Sequence, residues 1–247
     1  MFHFQGPFTF LETREKVNIS WNLSNGTVAY RQIKKWNFIP ELTNGSLDDV
    51  VVHLNVPLVA SGNDIKRKGG DQLSYGAVNS IVEEISDILF PSHTVRQLLF
   101  DGYHDEYSYV GKQLGVETPF DKFGWFYEKN NTASDGLYRI FSGEAQTVHK
   151  FGLLDTWNYK NILDVWNNSE CNRIDRSTTG DFSPPFTIPK PKIFHLFVAD
   201  FCRSFPLTLM KEVYSHGLKL DRYWISDKAF DYSLKENVCY CNNEKLA

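Results

Sequence analysis

Apolar and polar residues alternate along most of this chain, and a period of two is typical of strands that bury one face. In the N-terminal part the pattern covers residues 4–10, 17–21 and 28–39, with a charged turn between the first two stretches. A β-branched run follows at 50–59, where Pro57 indicates an edge, a bulge or a strand end. Because aromatic residues make up 15% of the sequence and also favour sheet, the chain is predicted to be mainly β.

The rest of the chain continues this pattern around a long polar loop. Aromatic strands are predicted at 123–127 and 137–141, and a loop rich in Asn, Ser, Thr, Pro and Gly follows at 158–191. Further apolar strands are predicted at 193–199, 207–214 and 222–226.

One segment departs from the alternation. Between residues 71 and 90 apolar residues recur at three- and four-residue intervals, which is the spacing of an amphipathic helix. Asp71 can cap its N-terminus and Pro91 ends it, and Ser92 can cap a second, short helix over 94–100. We interpret the apolar stripe as a core-packing face, with contact to a ligand as the alternative.

Charge and hydropathy exclude two classes of protein. The net charge of −4 and the pI near 6.0 do not fit the strongly basic surface that nucleic acid requires, so no nucleic-acid partner is expected. No run approaches the roughly 18 apolar residues of a membrane-spanning helix. Residues 1–7 lack the basic and apolar regions of a signal peptide. We therefore expect no membrane span and no targeting signal within these residues.

Six Asn-x-Ser/Thr sequons indicate a chain exposed to the glycosylation machinery on the secretory side of a membrane. Three of them crowd into residues 18–27, where an Asn-Gly pair also favours a tight hairpin turn. A polar turn is therefore the alternative explanation for that cluster. The sequon asparagines are Asn18, Asn22, Asn25, Asn44, Asn130 and Asn167.

Four cysteines lie in the C-terminal third. An even number beside sequons predicts disulfides, and four thiols allow three connectivities. The alternative is a metal site, but Cys239 and Cys241 form C-x-C rather than the C-x2-C of common zinc sites, and no His-x3–5-His pair accompanies them. No metal and no cofactor are expected. The four residues are Cys171, Cys202, Cys239 and Cys241.

The common enzymatic motifs are missing from the sequence, which has no G-x-S-x-G, no P-loop, no dinucleotide glycine pattern and no H-E-x-x-H. Residues 101–106 gather three carboxylates and an imidazole, which suit a cation or acid–base chemistry, but a solvated turn is the simpler interpretation. The basic run 66–68 indicates an exposed loop that attracts anionic lipid or an acidic partner. The sequence therefore predicts no enzyme.

Short motifs occur in a fixed order along the chain. They are QGPFTF (5–10), TVRQLLFDGY (94–103), FGWFY (123–127), NNT with DGLY (130–138), GDFSPPF (180–186), DFCRS (200–204) and CYC (239–241). In this order they resemble the class B scavenger receptor family over essentially the whole chain. That family includes the fatty-acid-translocase-type receptors, the lysosomal integral membrane proteins, the croquemort-like receptors and the sensory neuron membrane proteins.

The resemblance implies a fold. Members of the family have two membrane spans and a large glycosylated ectodomain, an irregular antiparallel β-barrel with a small helical cap. A hydrophobic tunnel through the barrel is thought to carry lipids toward the bilayer, and the cap captures ligands. On that basis residues 1–247 form a partial ectodomain, mainly β with α, whose barrel is incomplete in this chain. Residues 60–100 would form the cap, and 1–59 and 101–247 would form barrel portions.

The resemblance also implies a function. We expect a receptor that binds and transfers lipids, lipoproteins or other anionic hydrophobic ligands without covalent chemistry, held in the membrane by segments absent from this chain. Its location would be the extracellular side of the plasma membrane or the lumenal side of the lysosomal membrane. One alternative is a sorting receptor that binds a lysosomal hydrolase through the cap; another is a secreted hydrolase that uses the carboxylates at 101–106. The expected ligand contacts are Lys66, Arg67, Lys68, Leu73, Ala77 and Ile81.

The cysteines follow the same resemblance. Family connectivity would join Cys171 to Cys239, whereas Cys202 and Cys241 would each pair with a downstream cysteine that this chain does not contain, which leaves both as thiols here. The chain departs from the family at Glu83, Glu84 and Asp87, where some members carry lysines that bind modified lipoproteins. That ligand preference is therefore not expected here.

Overall fold

The computed structural model describes residues 5–60, 76, 79–80, 83, 89–105, 122–166, 170–184 and 191–241. Nine strands occur in these ranges: β1 (Phe10–Asn22), β2 (Thr27–Phe38), β3 (Val50–Val52), β4 (Ser92–Thr94), β5 (Leu137–Phe141), β6 (Leu154–Trp157), β7 (Ile193–Val198), β8 (Arg203–Ser215) and β9 (Leu218–Ile225). Short 3₁₀ helices lie at Pro40–Leu42, Ala145–Lys150, Ala199–Phe201, Asp227–Phe230 and Val238–Tyr240, and a π-helical turn at Gln97–Asp101.

The described strands form three sheets, ordered β1-β2-β5-β6, β3-β4 and β7-β8-β9. The pairings β2–β5, β5–β6, β3–β4, β7–β8 and β8–β9 are all antiparallel. The prediction of a mainly β chain with antiparallel sheets is confirmed, and no closed barrel forms among the described strands. By contacts the chain divides into two compact units, residues 1–14 with 33–134 and residues 15–32 with 135–247.

The hairpin between β1 and β2 shows how the sequon cluster folds. Ser24 Oγ and the Asn25 backbone N–H both donate to Asn22 Oδ1, at 2.7 and 3.2 Å, and Gly26 has a φ of +59°. A Cβ on Gly26 would lie 2.7 Å from Thr147 Oγ1, so only glycine fits this turn. The predicted Asn-Gly turn is therefore present.

The charged turn predicted between residues 10 and 17 is wrong, because β1 runs through it without a break. The charged side chains belong to a strand whose surface is largely exposed. Glu12 accepts a hydrogen bond of 2.7 Å from Trp36 Nε1 on β2, which gives its carboxylate a partner on the neighbouring strand. A run of charged residues is therefore not sufficient to predict a turn.

The core of the second unit lies where β2, β5 and β6 meet β7. Tyr30 and Tyr138 are cross-strand partners whose rings stack at 5.8 Å, and Leu154 is fully buried beside them. Burial of such side chains stabilises a fold by about 1.5–3 kcal/mol each. The buried cluster comprises Val28, Tyr30, Tyr138, Ile140, Leu154, Leu163, Ile174 and Phe197.

The strand predicted at 50–59 is correct only for β3. Residues 56–60 are helical, because Asn55 accepts a 3.0 Å hydrogen bond from the Leu58 backbone N–H as an N-cap. Pro57 is tolerated in the first helical turn, where its missing N–H costs nothing.

The short helix begins at Val95, one residue later than predicted, and its cap is not Ser92. Ser92 lies in β4, and the cap is Thr94 with Gln97: the Gln97 backbone N–H donates to Thr94 Oγ1 at 3.2 Å, and the Thr94 N–H donates to Gln97 Oε1 at 3.0 Å. This reciprocal pair is a capping box.

The aromatic strand predicted at 123–127 is also wrong. The backbone N–H groups of Trp125 and Phe126 donate to the carbonyls of Leu98 and Leu99, at 3.0 and 2.7 Å. These hydrogen bonds satisfy backbone carbonyls of the short helical segment, so the N–H groups of Trp125 and Phe126 are not paired in a sheet.

Most of the helix predicted over 71–90 lies outside the described residues. Of that segment, Gly76, Asn79, Ser80 and Glu83 are helical and exposed. The predicted cap at 60–100 stays a prediction. None of the helices in the described ranges is long and apolar enough to span a membrane.

Candidate functional site

The ligand contacts expected from the sequence lie outside the residues that the structure describes. They are Lys66, Arg67, Lys68, Leu73, Ala77 and Ile81. Their grouping in a cap stays a prediction, and the candidate site is built from the described residues instead.

A cleft of about 650 Å³ lies over one face of the sheet β7-β8-β9. Its floor is formed by Phe194 and Leu196 on β7, Leu207 on β8 and Tyr223 on β9. Phe194 and Leu196 share a face because they are two residues apart, and Leu207 is the antiparallel partner of Phe194. The strand alternation therefore gives this face an apolar floor.

The walls of the cleft come from the two ends of the loop that precedes β7. Phe182 and Pro184, at the start of this loop, and Pro191, at its end, all line the cleft. Tyr223 ties the floor to the wall, since its hydroxyl donates to the Pro191 carbonyl at 2.7 Å and its ring meets the Phe194 ring edge-on at 5.6 Å. The volume falls within the usual range of small-molecule sites.

Charge is confined to the carboxylates in the lining, Asp181 and Asp221. The Lys16 ammonium lies 3.1 Å from Asp181 Oδ2 and 5.3 Å from the centre of the Phe182 ring. A cation thus sits beside the apolar wall and offsets one carboxylate.

A second apolar recess, about 410 Å³, adjoins the cleft. It shares Leu207 and Tyr223 with the cleft and continues along Trp224 and Ile225 to Phe230. The two recesses together suit an elongated apolar molecule better than a compact polar one.

The titratable side chains in the described lining of the cleft are two carboxylates, Asp181 and Asp221, and the Tyr223 hydroxyl. Among its described lining residues there is no histidine, cysteine or lysine to act as nucleophile or base at neutral pH. Within the described part of the chain no group of three or more His, Cys, Asp or Glu side chains is arranged to hold a metal ion.

A second polar cluster lies in the first unit, where β3 and β4 pair. His53 and His93 are joined by a 2.9 Å hydrogen bond between Nε2 and Nδ1, and the His93 ring stacks on Tyr103 at 3.7 Å. Asp105 is 5% exposed and accepts a 2.7 Å hydrogen bond from Asn55 Nδ2. The solvated turn expected at 101–106 is therefore wrong for Asp105, because that carboxylate fixes the start of the helix at 56–60.

Burial shifts the pKa values of two members of this cluster, His93 and Tyr103. It lowers the pKa of His93, and the neighbouring His53 lowers that pKa further, while Asp105 acts in the opposite direction. Burial, followed by the charge of Asp105, raises the pKa of Tyr103. His93 is therefore neutral at pH 7 and resists protonation more than an exposed histidine.

The sequon asparagines and cysteines are placed as follows. The five sequon asparagines that the structure describes are exposed, and Asn167 lies outside the described residues. Cys171 and Cys239 form a disulfide with a Cα–Cα distance of 6.2 Å, the pair that the family resemblance implied, and Cys202 and Cys241 are thiols. The exposed set is Asn18, Asn22, Asn25, Asn44 and Asn130.

Sequence reasoning missed the cleft and the histidine pair. The strands that carry the cleft and the polar loop at 158–191 were predicted, and Phe194, Leu196 and Leu207 stand on one face in that pattern. The position of Phe182, Pro184 and Pro191 beside this face was not predicted. His53 and His93 each looked isolated, and the only available signal was that both lie in short β-like stretches that could pair.

Comparison with known proteins identifies the family. A model of the CD36 family matches residues 2–247. Scavenger receptor class B member 1 of Mus musculus is 29% identical over 251 residues, covering 98% of this chain and 47% of the relative. Lysosome membrane protein 2 of Rattus norvegicus is 30% identical over 239 residues, covering 96% and 47%.

An insect relative shows the same coverage. Protein peste of Drosophila melanogaster is 27% identical over 245 residues, covering 97% of this chain and 43% of the relative. The chain thus spans about half the length of the curated relatives it matches. Since the family model matches nearly every residue, the resemblance drawn from the ordered motifs is confirmed, and the chain belongs to the CD36 family of class B scavenger receptors.

Proposed function

We propose that this chain is the ligand-binding part of a membrane receptor that captures lipids and passes them on without covalent chemistry. The observation that carries the proposal is the cleft over β7-β8-β9, with its floor of Phe194, Leu196, Leu207 and Tyr223. The names of the relatives, a scavenger receptor and a lysosomal membrane protein, agree with such a role.

The size of the cleft sets the expected affinity. Burial of one methylene group contributes about 0.8 kcal/mol, so about ten methylenes of an acyl chain contribute on the order of 8 kcal/mol. That figure corresponds to a dissociation constant near 1 μM, and the entropy lost on association weakens it. An acyl ligand that exchanges readily is therefore expected, which suits a protein that transfers its cargo.

The charges of the cleft do not by themselves attract an anionic head group, because Lys16 is paired with Asp181 and Asp221 adds a second carboxylate to the lining. The proposed cap supplies the cations for a carboxylate or phosphate head group. The basic run Lys66, Arg67 and Lys68 and the helical stripe of Leu73, Ala77 and Ile81 belong to the proposed cap, as first contacts for lipids, lipoproteins or other anionic hydrophobic ligands. We place the receptor at the plasma membrane, facing outward, with the lysosomal membrane as the alternative.

Titration with a fluorescent fatty acid, cis-parinaric acid, tests this function. Leu207→Gln puts an amide into the floor shared by both recesses and should weaken binding at least fivefold, because the polar group loses hydration when the chain binds. The matched control is Leu220→Gln on β9, where the leucine is 45% exposed and outside the cleft lining, and it should stay within twofold of wild type. Equal affinities for all three proteins would exclude the cleft as the lipid site.

A sorting receptor for a lysosomal hydrolase is the second candidate, and the histidine pair favours it. His53 directly follows β3, before the proposed cap, and His93 lies on β4, near the end of the predicted 60–100 segment. Protonation of His93 would therefore act on the hydrogen bond that joins the two flanks of that segment. Such a receptor would hold its enzyme at pH 7 and release it near pH 5. A His93→Phe variant that still releases the enzyme over that pH range would argue against this candidate.

A secreted hydrolase using residues 101–106 has less support. The carboxylate of Asp105 is buried and already engaged with Asn55, so it is poorly placed to act on a substrate. Replacement of Asp101 by alanine should leave lipid binding unchanged and remove no hydrolytic activity.

A further inference from the structure

A separate polar cavity of about 230 Å³ lies in the second unit, on the face of β7 and β8 opposite to the lipid cleft. His195 and Pro206 line this cavity and are cross-strand partners, whereas their chain neighbours Phe194 and Leu207 line the cleft. The alternation of side chains therefore separates an apolar site from a polar one. The described lining residues are Glu170, Arg173, Arg176, Ser177, His195, Arg203, Ser204, Pro206, Glu236, Asn237 and Tyr240.

The buried cation in this cavity is Arg203, which is 4% exposed. Its Nη2 donates to two neutral oxygens, Ala229 O at 2.7 Å and Asn237 Oδ1 at 3.1 Å, and its guanidinium lies 3.7 Å from the centre of the Tyr240 ring. Its Nε has no hydrogen-bond partner within the described part of the chain. Among the described residues no carboxylate lies within ion-pair distance of it.

A buried guanidinium that meets only neutral groups is energetically unfavourable. Removing a charge from water costs several kcal/mol unless an opposite charge compensates for it, and an unsatisfied buried donor adds to that cost. Stacking on Tyr240 recovers part of this energy. An anion in the cavity would recover the rest.

The other charges of the cavity leave room for such an anion. Arg173 is already paired, with Asp175 at 2.7 Å and Glu170 at 3.6 Å. Arg176 adds a second cation, and it acts together with burial to lower the pKa of His195. The opposing charge is Glu236, whose side chain is exposed and which forms no ion pair with either Arg176 or Arg203 in the described structure.

We propose that this cavity binds one phosphate-type oxyanion, held by the Arg203 Nε–H and the Arg176 guanidinium. Guanidinium groups match the spacing of phosphate oxygens and bind them through paired hydrogen bonds. The hydroxyls of Ser177 and Ser204 also line the cavity, but Ser177 donates to Ser204 Oγ at 2.7 Å and Ser204 donates to the Arg173 carbonyl at 3.5 Å, so the two guanidinium groups are the donors for the anion. The volume accommodates a phosphate group with its water but not an acyl chain, so a phospholipid would place only its head group here.

Calorimetric titration of the full chain with inorganic phosphate tests the proposal, at constant ionic strength and with chloride as the reference anion. Phosphate should bind saturably, Arg176→Gln should weaken it at least fivefold, and Glu236→Gln should strengthen it. The control Arg222→Gln removes an exposed arginine on β9 outside the cavity lining and should leave the affinity within twofold of wild type. Arg176 is exposed, so its replacement should leave the melting temperature unchanged, which separates binding from folding.

Competition distinguishes the two sources of the phosphate group. If dihexanoyl phosphatidic acid displaces inorganic phosphate, the site takes a lipid head group; if it does not, the site takes the free ion. Either result supports an oxyanion site. No saturable heat with phosphate, or equal affinities for wild type, Arg176→Gln and Arg222→Gln, would overturn the proposal. The cavity shares no lining residue with the lipid cleft, so this outcome is independent of the parinaric acid titration.

Discussion

The disulfide between Cys171 and Cys239 should account for a large part of the stability of the second unit. The two residues are separated by 68 positions, and both belong to that unit. In the chain-entropy model, closing a loop of this length removes about 15 cal/mol/K from the unfolded state, which is about 4 kcal/mol at 25 °C. The free energy of unfolding of the double variant Cys171→Ala/Cys239→Ala should therefore be about 4 kcal/mol lower than that of wild type.

Urea unfolding followed by tryptophan fluorescence measures this loss. If the free energy of unfolding falls by about 3 kcal/mol per molar urea, the midpoint should fall by about 1.3 M. Wild type reduced with dithiothreitol should shift by a similar amount, and Cys202→Ala, which removes a cysteine that forms no disulfide, should shift much less. A loss below about 1 kcal/mol with an unchanged slope would refute the reasoning that this cross-link restricts the unfolded chain.

Three further predictions concern the core, the histidine pair and the sequons. Leu154→Ala should cost about 3 kcal/mol in urea unfolding, because a fully buried side chain leaves a cavity; a cost below 1 kcal/mol would show that the site collapses. Because burial holds the pKa of His93 below the usual histidine value of about 6.5, the unfolded chain binds the proton more readily. The free energy of unfolding should therefore fall as the pH drops below about 6.5. His93→Phe should weaken this dependence of stability on pH in thermal melts from pH 7 to 5. An unchanged pH dependence would show that protonation of His93 is not its cause. Asn130→Gln should remove one glycosidase-sensitive step in gel mobility, whereas identical mobility would mean that this exposed sequon carries no sugar.

Strands with clear alternation could be predicted from the sequence. Leu137–Phe141 was predicted with its observed bounds, and β7 and β8 were located within a few residues, because each strand buries one face against a neighbour. The failures came where a distant partner decides the local structure. Residues 123–127 have strand-like composition, but their backbone donors bind the carbonyls of Leu98 and Leu99, a contact that no local pattern encodes.

The same dependence on distant partners explains why the candidate site could not be predicted from the sequence. The motif that contains Arg203 was recognised, but not that Tyr240, 37 positions later, would stack on its guanidinium. Likewise the apolar stripe of Phe194 and Leu196 follows from alternation, whereas its role as a cleft floor depends on Phe182 and Pro191 standing over it. Sequence patterns identify which face is apolar, and the fold determines whether another element covers it.

Photo-crosslinking with a diazirine-bearing palmitate locates the bound acyl chain in the folded protein. After irradiation and digestion, we expect label on peptides that carry Phe194, Leu196, Leu207 or Tyr223, and loss of that label when unmodified palmitate is added in excess. Label confined to residues 60–100, or label that excess palmitate does not displace, would contradict the assignment of the lipid site to this cleft.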